Sequence, residues 1–230
     1  MTSITVELID SMGTDDRVVD AARVSFAKEA KNYTPEQNAK LIGYLAKYGH
    51  FTPFAHVQAT FRIKAPFFVA RQLDKHQVGL VKSEVSRRYV DAPPEFYMPE
   101  VWHKRAKNVK QGSSEETIEI NACAVTIYAD TDCVGYTDLG VDGVFEFLNQ
   151  YYQQLLAAGV APEEARMVLP LATMTEWYWT GSLAAWARVC KQRLDPHAQR
   201  QTREVARQIA EQCSQIWPVS WAALFDTTEN

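Results

Sequence analysis

From Arg71 to Tyr89 the chain reads Arg-Gln-Leu-Asp-Lys-His-Gln-Val-Gly-Leu-Val-Lys-Ser-Glu-Val-Ser-Arg-Arg-Tyr. This segment places cationic donors, carboxylates and hydroxyls side by side in a chain of 230 residues whose formal net charge is −4. Residues 62–88 carry seven Lys or Arg and two acidic side chains, a local balance of +5, so the rest of the chain sums to −9. The reversal indicates a site for an anionic ligand, because phosphate needs charged or fork-like donors to replace its water.

The bulk composition is that of an ordinary globular enzyme, with 47% hydrophobic and 23% charged residues. Its negative balance argues against a general nucleic-acid binder. The first residues lack a basic segment followed by an apolar one, and no apolar run could span a bilayer. These features predict a cytoplasmic protein without a membrane partner. The four cysteines (Cys123, Cys133, Cys190, Cys213) have no metal-type spacing, which predicts reduced thiols and no metal site.

Periodicity in the sequence predicts an α+β fold. Alternating apolar residues predict strands over Ile4–Leu8 and Val57–Ile63. Thr34 to Gln37 has the form of a helix start, with a hydroxyl cap, a proline at the first position and a glutamine three residues after the cap. Helical spacing predicts further helices at Asp16–Val24, at Ala65–His76, from Val144, from Pro162, over Leu183–Arg193 and from Asp195 onward. Without an internal repeat or a low-complexity linker, residues 1–230 are predicted to form a single domain.

The predicted helix at Ala65–His76 would form one wall of a pocket. It would place Arg71 and Lys75 on one face, with Gln72 and His76 on the adjacent one, ahead of a glycine-bearing loop. Arg166 lies in an apolar run and is expected to be a buried charge that needs a partner. The tryptophans at 177, 179 and 186 are interpreted as core or interface residues in preference to a stacking platform for a ligand.

The signature segment closely resembles that of the flavin-dependent thymidylate synthases, whose motif is Arg-His-Arg, seven or eight residues, then Ser-x-Arg. Here the motif is Lys75-His76-Gln77, eight residues, then Ser86-Arg87-Arg88, with Glu84 two residues before the serine. Further segments resemble the family in the family's order: 21–26, 49–54, 64–72, 95–97, 165–171 and 197–199. The resemblance implies a homotetramer whose fold has a central mixed or antiparallel sheet flanked by long helices. It also implies a variable surface insertion at about 103–143.

The family methylates C5 of deoxyuridine monophosphate (dUMP), taking the carbon from methylenetetrahydrofolate and the reducing equivalents from NADPH through FAD. The resemblance implies shared active sites, with the catalytic Arg193 beside the pyrimidine edge. The implied nucleotide-binding residues are Gln72, Lys75, Glu84, Ser86, Arg87, Arg88, Arg166 and Arg193. The implied cofactor-binding residues are His50, Thr52, Lys75, His76, Gln77, Glu84, Ser182, Arg188 and His197.

Departures from the family pattern concentrate on the flavin side. Lys75-His76-Gln77 lacks both guanidinium forks of Arg-His-Arg, and Ala184 stands where a polar residue is usual. Two alternatives to thymidylate synthesis therefore stay open. A divergent hydroxymethylase would trap the methylene carbon with water, giving 5-hydroxymethyl-deoxyuridylate with altered or absent use of flavin. A non-catalytic relative would only bind a nucleotide.

Overall fold

The structure is a computed structural model that describes residues 2–90, 92–107, 112–120, 125–127 and 137–225. Within these ranges, side chains are described except at 125–127 and 137–139. The strands are β1 (Thr5–Met12), β2 (Gln58–Pro66), β3 (Leu80–Glu84), β4 (Trp102–Arg105), β5 (Ser113–Ile118), β6 (Val125–Ile127), β7 (Thr137–Leu139) and β8 (Met174–Ser182). The α-helices are α1 (Asp15–Arg23), α2 (Pro35–Lys47), α3 (Phe67–Leu73), α4 (Val141–Ala157), α5 (Pro162–Ala165), α6 (Leu183–Arg193), α7 (Arg200–Ile216) and α8 (Pro218–Phe225). Short 3-10 turns cover Val24–Phe26, Ala30–Asn32, Thr52–Ala55 and Arg166–Val168.

The chain divides into two compact units. The smaller unit comprises the residues up to Ser3, then Ala65–Ala70 and Val85–Thr175. The larger unit comprises Ile4–Lys64, Arg71–Glu84 and the chain from Glu176 onward. The single-domain arrangement stays a prediction, and so does the tetramer.

A four-stranded sheet with the order β1-β2-β8-β3 forms the framework of the larger unit. β1 pairs antiparallel with β2, and β3 pairs antiparallel with β8, where Glu84 lies opposite Trp177. Alternate residues of β8 face the core, so that Trp177 and Trp179 are buried while Tyr178 is exposed. The predicted α+β class with an antiparallel sheet is confirmed, and the three tryptophans lie in the core, one of the two placements expected for them.

Two pairs of helices cover the apolar surfaces of the larger unit, since α2 packs on α8 and α6 packs on α7. α2 begins with the predicted capping box: the Thr34 side chain accepts from Gln37 N, and the Gln37 side chain accepts from Thr34 N. α6 ends at Arg193, as predicted. None of the helices in the described ranges is long and apolar enough to cross a membrane.

The predicted helix over Ala65–His76 was wrong at both ends. β2 continues to Pro66, because a proline at the end of a strand need not donate a ladder hydrogen bond. α3 ends at Leu73, and the chain then turns: His76 N donates to Leu73 O at 2.9 Å, and Leu80 N donates to Gln77 O at 3.2 Å. Lys75 and His76 therefore lie in a turn that leads into β3.

The helix predicted from Asp195 begins later, at Arg200. The Asp195 carboxylate accepts from His197 N at 2.7 Å and so stabilises a turn in place of a helical start. The smaller unit contains strands that the sequence pattern did not predict. Two-stranded sheets, β4 with β5 and β6 with β7, lie within or border the predicted insertion at 103–143, of which 108–111, 121–124 and 128–136 are outside the described residues.

Candidate active site

A cluster of polar side chains joins the end of α3 to the end of α6 and the start of α7. We call Gln72, His76, Arg193, Gln199 and Thr202 the Arg193 cluster. Arg193 Nε donates to His76 Nε2 at 2.9 Å, and Arg193 Nη2 donates to the backbone oxygen of Gln72 at 3.2 Å. Two acceptors thus fix the plane of one guanidinium, which keeps its charge at any working pH.

The side-chain amide of Gln72 is held inside the same cluster. Thr202 Oγ1 donates to Gln72 Oε1 at 2.9 Å, and Gln72 Nε2 donates to Gln199 Oε1. Thr202 is 0% exposed, whereas Gln72 and Gln199 are half-buried. A glutamine amide has two N–H groups and two oxygen lone pairs, and these contacts use one of each. The amide is therefore positioned and still able to bind a ligand.

His76 is the titratable member of the cluster that is neutral at pH 7. Burial first, then the Arg193 and Arg188 charges, lower the pKa of His76 to about 4. Because Nε2 accepts from Arg193, the ring proton lies on Nδ1. At neutral pH the imidazole is thus an uncharged acceptor that orients Arg193.

Lowering the pH from 7 to 5 is expected to destabilise the protein through His76 by about 1–2 kcal/mol. The unfolded chain takes up a proton near pH 6.5, while the folded chain takes it up only near pH 4. The stabilisation is therefore complete above the unfolded pKa and is lost as the pH falls toward the folded pKa. Urea unfolding at the two pH values would measure it, with His76→Gln as a non-titrating control. Equal losses in both proteins would contradict the assignment.

The loop after the Lys75-His76-Gln77 motif is built by residues that were predicted to bind flavin. Arg188 Nη2 donates to the backbone oxygen of Val78. Gly79 has a φ of +72°, and a Cβ there would lie 3.3 Å from Ala185 Cβ. Ser182 is buried, and its Oγ accepts from Ala185 N at 3.3 Å as the N-cap of α6. One Arg188 nitrogen therefore stabilises the loop, whereas the Ser182 oxygen caps α6.

Lys82 on β3 forms ion pairs with two carboxylates. Its Nζ lies 2.7 Å from Asp74 Oδ1 and 2.7 Å from Glu84 Oε2, and 4.6 Å from the centre of the Trp177 ring. Arg62 of β2 is similarly paired, at 2.7 Å, with Glu176 of β8. Two of the seven cations counted in residues 62–88, Arg62 and Lys82, are therefore paired with carboxylates.

A cavity of about 220 Å³ lies beside Asp74 and Lys82. It is lined by Asp74, His76, Gln77, Leu80, Lys82 and Trp179. A larger cavity of about 420 Å³ is lined by residues of α1 and α2 and the segment between them, and includes none of the predicted site residues. The smaller cavity is the one that combines signature residues with the buried histidine.

Other predicted nucleotide-binding residues belong to the smaller unit. Arg88 donates from its backbone N and from Nε to Ser86 Oγ, at 3.3 and 3.2 Å. Arg87 Nη1 donates to Ala92 O at 2.7 Å. The expected burial of Arg166 was wrong: the residue is exposed, and its Nε donates to the backbone oxygen of Glu163 at 3.3 Å. It lies in the 3-10 turn after α5, next in sequence to the buried Ala165.

The remaining predicted cofactor residues are exposed: His50, Thr52, Lys75, Gln77 and His197. The His50 ring stacks on Tyr44 with 6.0 Å between centroids, and His197 pairs with Asp195 at 3.0 Å. Among the described residues, no group of three or more His, Cys, Asp or Glu side chains could hold a metal ion.

Sequence reasoning missed Lys82, Asp74, Gln199 and Thr202 as members of the site. A signal existed for Thr202, because it shares one face of α7 with the buried Val205, Ala206 and Ile209. A hydroxyl in an apolar stripe needs a partner. No local pattern identified that partner as Gln72, which lies 130 residues away.

Comparisons with known proteins agree with these features. Residues 7–219 match the family model described as "Thymidylate synthase complementing protein". A flavin-dependent thymidylate synthase of Thermus thermophilus is 40% identical over 218 residues, which cover 95% of this chain and 74% of that protein. That of Thermosipho africanus is 39% identical over 205 residues, covering 89% and 83%.

A solved structure is also similar to this chain. The UMP/dUMP methylase PolB from Streptomyces cacaoi, bound with 5-Br dUMP, has a TM-score of 0.78 and 30% sequence identity, and the match covers 97% of this chain and 95% of that one. The same methylase bound with 5-Br UMP gives a TM-score of 0.75 at 27% identity, covering 99% and 96%. The family match over nearly the whole sequence and the agreement in fold lead to one conclusion: this chain belongs to the thymidylate synthase complementing protein family, the flavin-dependent thymidylate synthases.

Proposed function

We propose that this protein transfers a one-carbon unit from methylenetetrahydrofolate to C5 of dUMP and forms thymidylate with FAD-mediated reduction. The observation that carries the proposal is the Arg193 guanidinium, held by a neutral histidine and a backbone carbonyl. Family membership supplies the reaction class, and this geometry supplies a fixed positive charge of the kind the reaction needs.

Arg193 is the proposed catalytic residue. Uracil C5 is a weak nucleophile, and it becomes stronger when negative charge develops on the ring at N3 and the carbonyl oxygens. A preorganised guanidinium beside that edge stabilises the developing charge without reorganising during the reaction. The neutral His76 helps, because a protonated imidazole at 2.9 Å would repel the guanidinium that it now orients.

The cysteines in the described part of the chain are poorly suited to attack the pyrimidine as nucleophiles. Cys190 and Cys213 are both buried, and burial raises the pKa of each thiol well above its usual range. A thiol that stays protonated is a poor nucleophile for C6 of the pyrimidine. Activation of the ring by charge, without a covalent enzyme adduct, therefore fits the described part of the chain.

Nucleotide binding is proposed for the other signature residues. Gln72 would bind the pyrimidine or sugar through the unused half of its amide. The phosphate would be bound by Ser86, Arg87, Arg88 and Arg166. Two further residues, Lys75 and Glu84, would also contact the nucleotide. Each of these roles is tested by the affinity for dUMP after replacement of the single residue.

The residues implied to bind FAD include hydrogen-bond donors that fit its phosphates, although they are fewer than in the family's Arg-His-Arg pattern. The exposed Lys75 and Gln77 offer an ammonium and an amide to phosphate, and the Arg188 contact to Val78 uses one of the five N–H groups of a guanidinium. Ser182 stays in the proposed set, because the cap of α6 uses its oxygen as an acceptor and leaves the hydroxyl proton able to donate. When bound, FAD supplies the hydride that converts the transferred methylene into a methyl group. NADPH as the source of that hydride, and a homotetramer with shared sites, belong to the same proposal.

A product assay tests the function. Purified protein is incubated with dUMP and methylenetetrahydrofolate, with and without FAD and NADPH, and the nucleotides are identified by mass spectrometry. Thymidylate that appears only with both FAD and NADPH is the expected result. A product heavier by one oxygen, formed without FAD, would replace the proposal with the hydroxymethylase alternative. Binding of dUMP with no product under any condition would favour the non-catalytic alternative.

A further inference from the structure

We propose that Thr202 is a positioning residue of the nucleotide site, which acts by holding the side-chain amide of Gln72. The inference rests on the proposed function, since it assigns Gln72 to the nucleotide. Thr202 itself is 0% exposed and has no access to a ligand. Any effect on nucleotide binding must therefore pass through a neighbour.

The contacts identify that neighbour. Thr202 Oγ1 donates to Gln72 Oε1 at 2.9 Å, and the Nε2 group of the same amide donates to Gln199 Oε1. The amide is thus held between two groups near the start of α7. A glutamine side chain without these anchors has several rotamers of similar energy, and ordering it on binding costs affinity. The two anchors remove that cost before the ligand arrives.

The backbone of Gln72 connects this anchor to Arg193. Its carbonyl oxygen accepts from Arg193 Nη2 at 3.2 Å, while its side chain is bound by Thr202. One residue at the end of α3 therefore contacts both the proposed catalytic guanidinium and the buried hydroxyl. Thr202 would influence the amide directly, and Arg193 only through the position of the Gln72 backbone. We therefore expect a change mainly in nucleotide affinity.

The test compares Thr202→Val with Thr202→Ser in the full-length protein as purified. Valine keeps the size of the side chain and removes the hydroxyl, whereas serine keeps the hydroxyl. The dissociation constant for dUMP, measured by titration calorimetry, should rise about 3- to 10-fold in the valine variant, the usual effect of one hydrogen bond. It should return close to the wild-type value in the serine variant. KM for dUMP should rise by a similar factor, with kcat changing less.

A double-mutant cycle shows whether Thr202 acts through Gln72. In a Gln72→Ala background, Thr202→Val should have no further effect on dUMP affinity, because the group it holds is absent. The matched control is Thr60→Val, which removes a Thr hydroxyl bonded to Thr180 at 2.9 Å in the sheet and should leave dUMP affinity unchanged.

Several outcomes would overturn the proposal. Unchanged affinity in Thr202→Val would do so, as would a loss that adds in full to that of Gln72→Ala. If the valine variant fails to fold by circular dichroism, Thr202→Ala takes its place, with the same expected loss and the same cycle. A wild-type protein that does not bind dUMP would instead refute the proposed function, which the first titration shows before any variant is compared.

Discussion

Arg193→Ala is expected to lower the turnover of dUMP by about 100- to 1,000-fold, the usual cost of removing one preorganised charge-stabilising group. The guanidinium is held at 2.9 Å by His76 and at 3.2 Å by the Gln72 carbonyl, so little of its stabilising effect is lost to reorientation. Release of tritium from 5-tritiated dUMP would measure the loss, because C5 must shed its hydrogen in the reaction. Arg193→Lys should recover little, since an ammonium cannot donate to both acceptors in the same plane.

The matched control is Arg207→Ala. Arg207 is an exposed arginine of α7 that pairs with Glu204 at 2.8 Å and is not part of the Arg193 cluster. Turnover should be unchanged in this variant. Wild-type turnover in Arg193→Ala would overturn the site assignment. Loss of helical circular dichroism in the same variant would show that Arg193 supports the fold, and the assignment would then be judged on Arg193→Lys.

Trp186→Ala is expected to lower the free energy of unfolding by about 3–5 kcal/mol. The indole is 0% exposed, and it packs edge to face on Phe61 and Trp179 with centroid distances of 5.0 and 5.1 Å. Removing it would leave a cavity between α6 and the sheet. Urea unfolding at one fixed protein concentration would measure the loss.

Two further variants separate packing from hydrogen bonding. Trp186→Phe should cost less than the alanine change, because the indole N–H has no hydrogen-bond partner in the part of the chain that the structure describes. Tyr178→Ala, at a half-exposed neighbour on β8, should cost about 1 kcal/mol or less. A Trp186→Ala variant as stable as Tyr178→Ala would contradict the placement of Trp186 in the core.

Local features of the sequence predicted local features of the structure. The capping box at Thr34 and the helix over Leu183–Arg193 were correct, because a cap and an apolar stripe depend on residues within a few positions of each other. β3 and β8 were not predicted. Leu80–Glu84 is exposed at most positions and becomes a strand by pairing with β8, a partner almost 100 residues away.

The same division applies to the candidate site. The resemblance implied Gln72, His76 and Arg193 as site residues. It assigned His76 to flavin binding and Arg193 to nucleotide binding, and so did not indicate that the two side chains contact each other. Their direct hydrogen bond joins residues 117 positions apart. It exists because α3 ends at Leu73 and turns His76 toward the end of α6. The resemblance likewise implied Ser182 as a cofactor ligand, and only the structure showed that its oxygen caps α6.

The sequence by itself determined the family, the fold class and most of the residue types available for chemistry. Those properties depend on motif, order and periodicity, all of which can be read along the chain. Only the tertiary structure decided which polar groups are partnered, which are exposed, and which buried hydroxyl holds the amide of Gln72. The physical reason is that a hydrogen bond depends on distances of a few tenths of an ångström, and those distances are set by how α3, α6 and α7 pack.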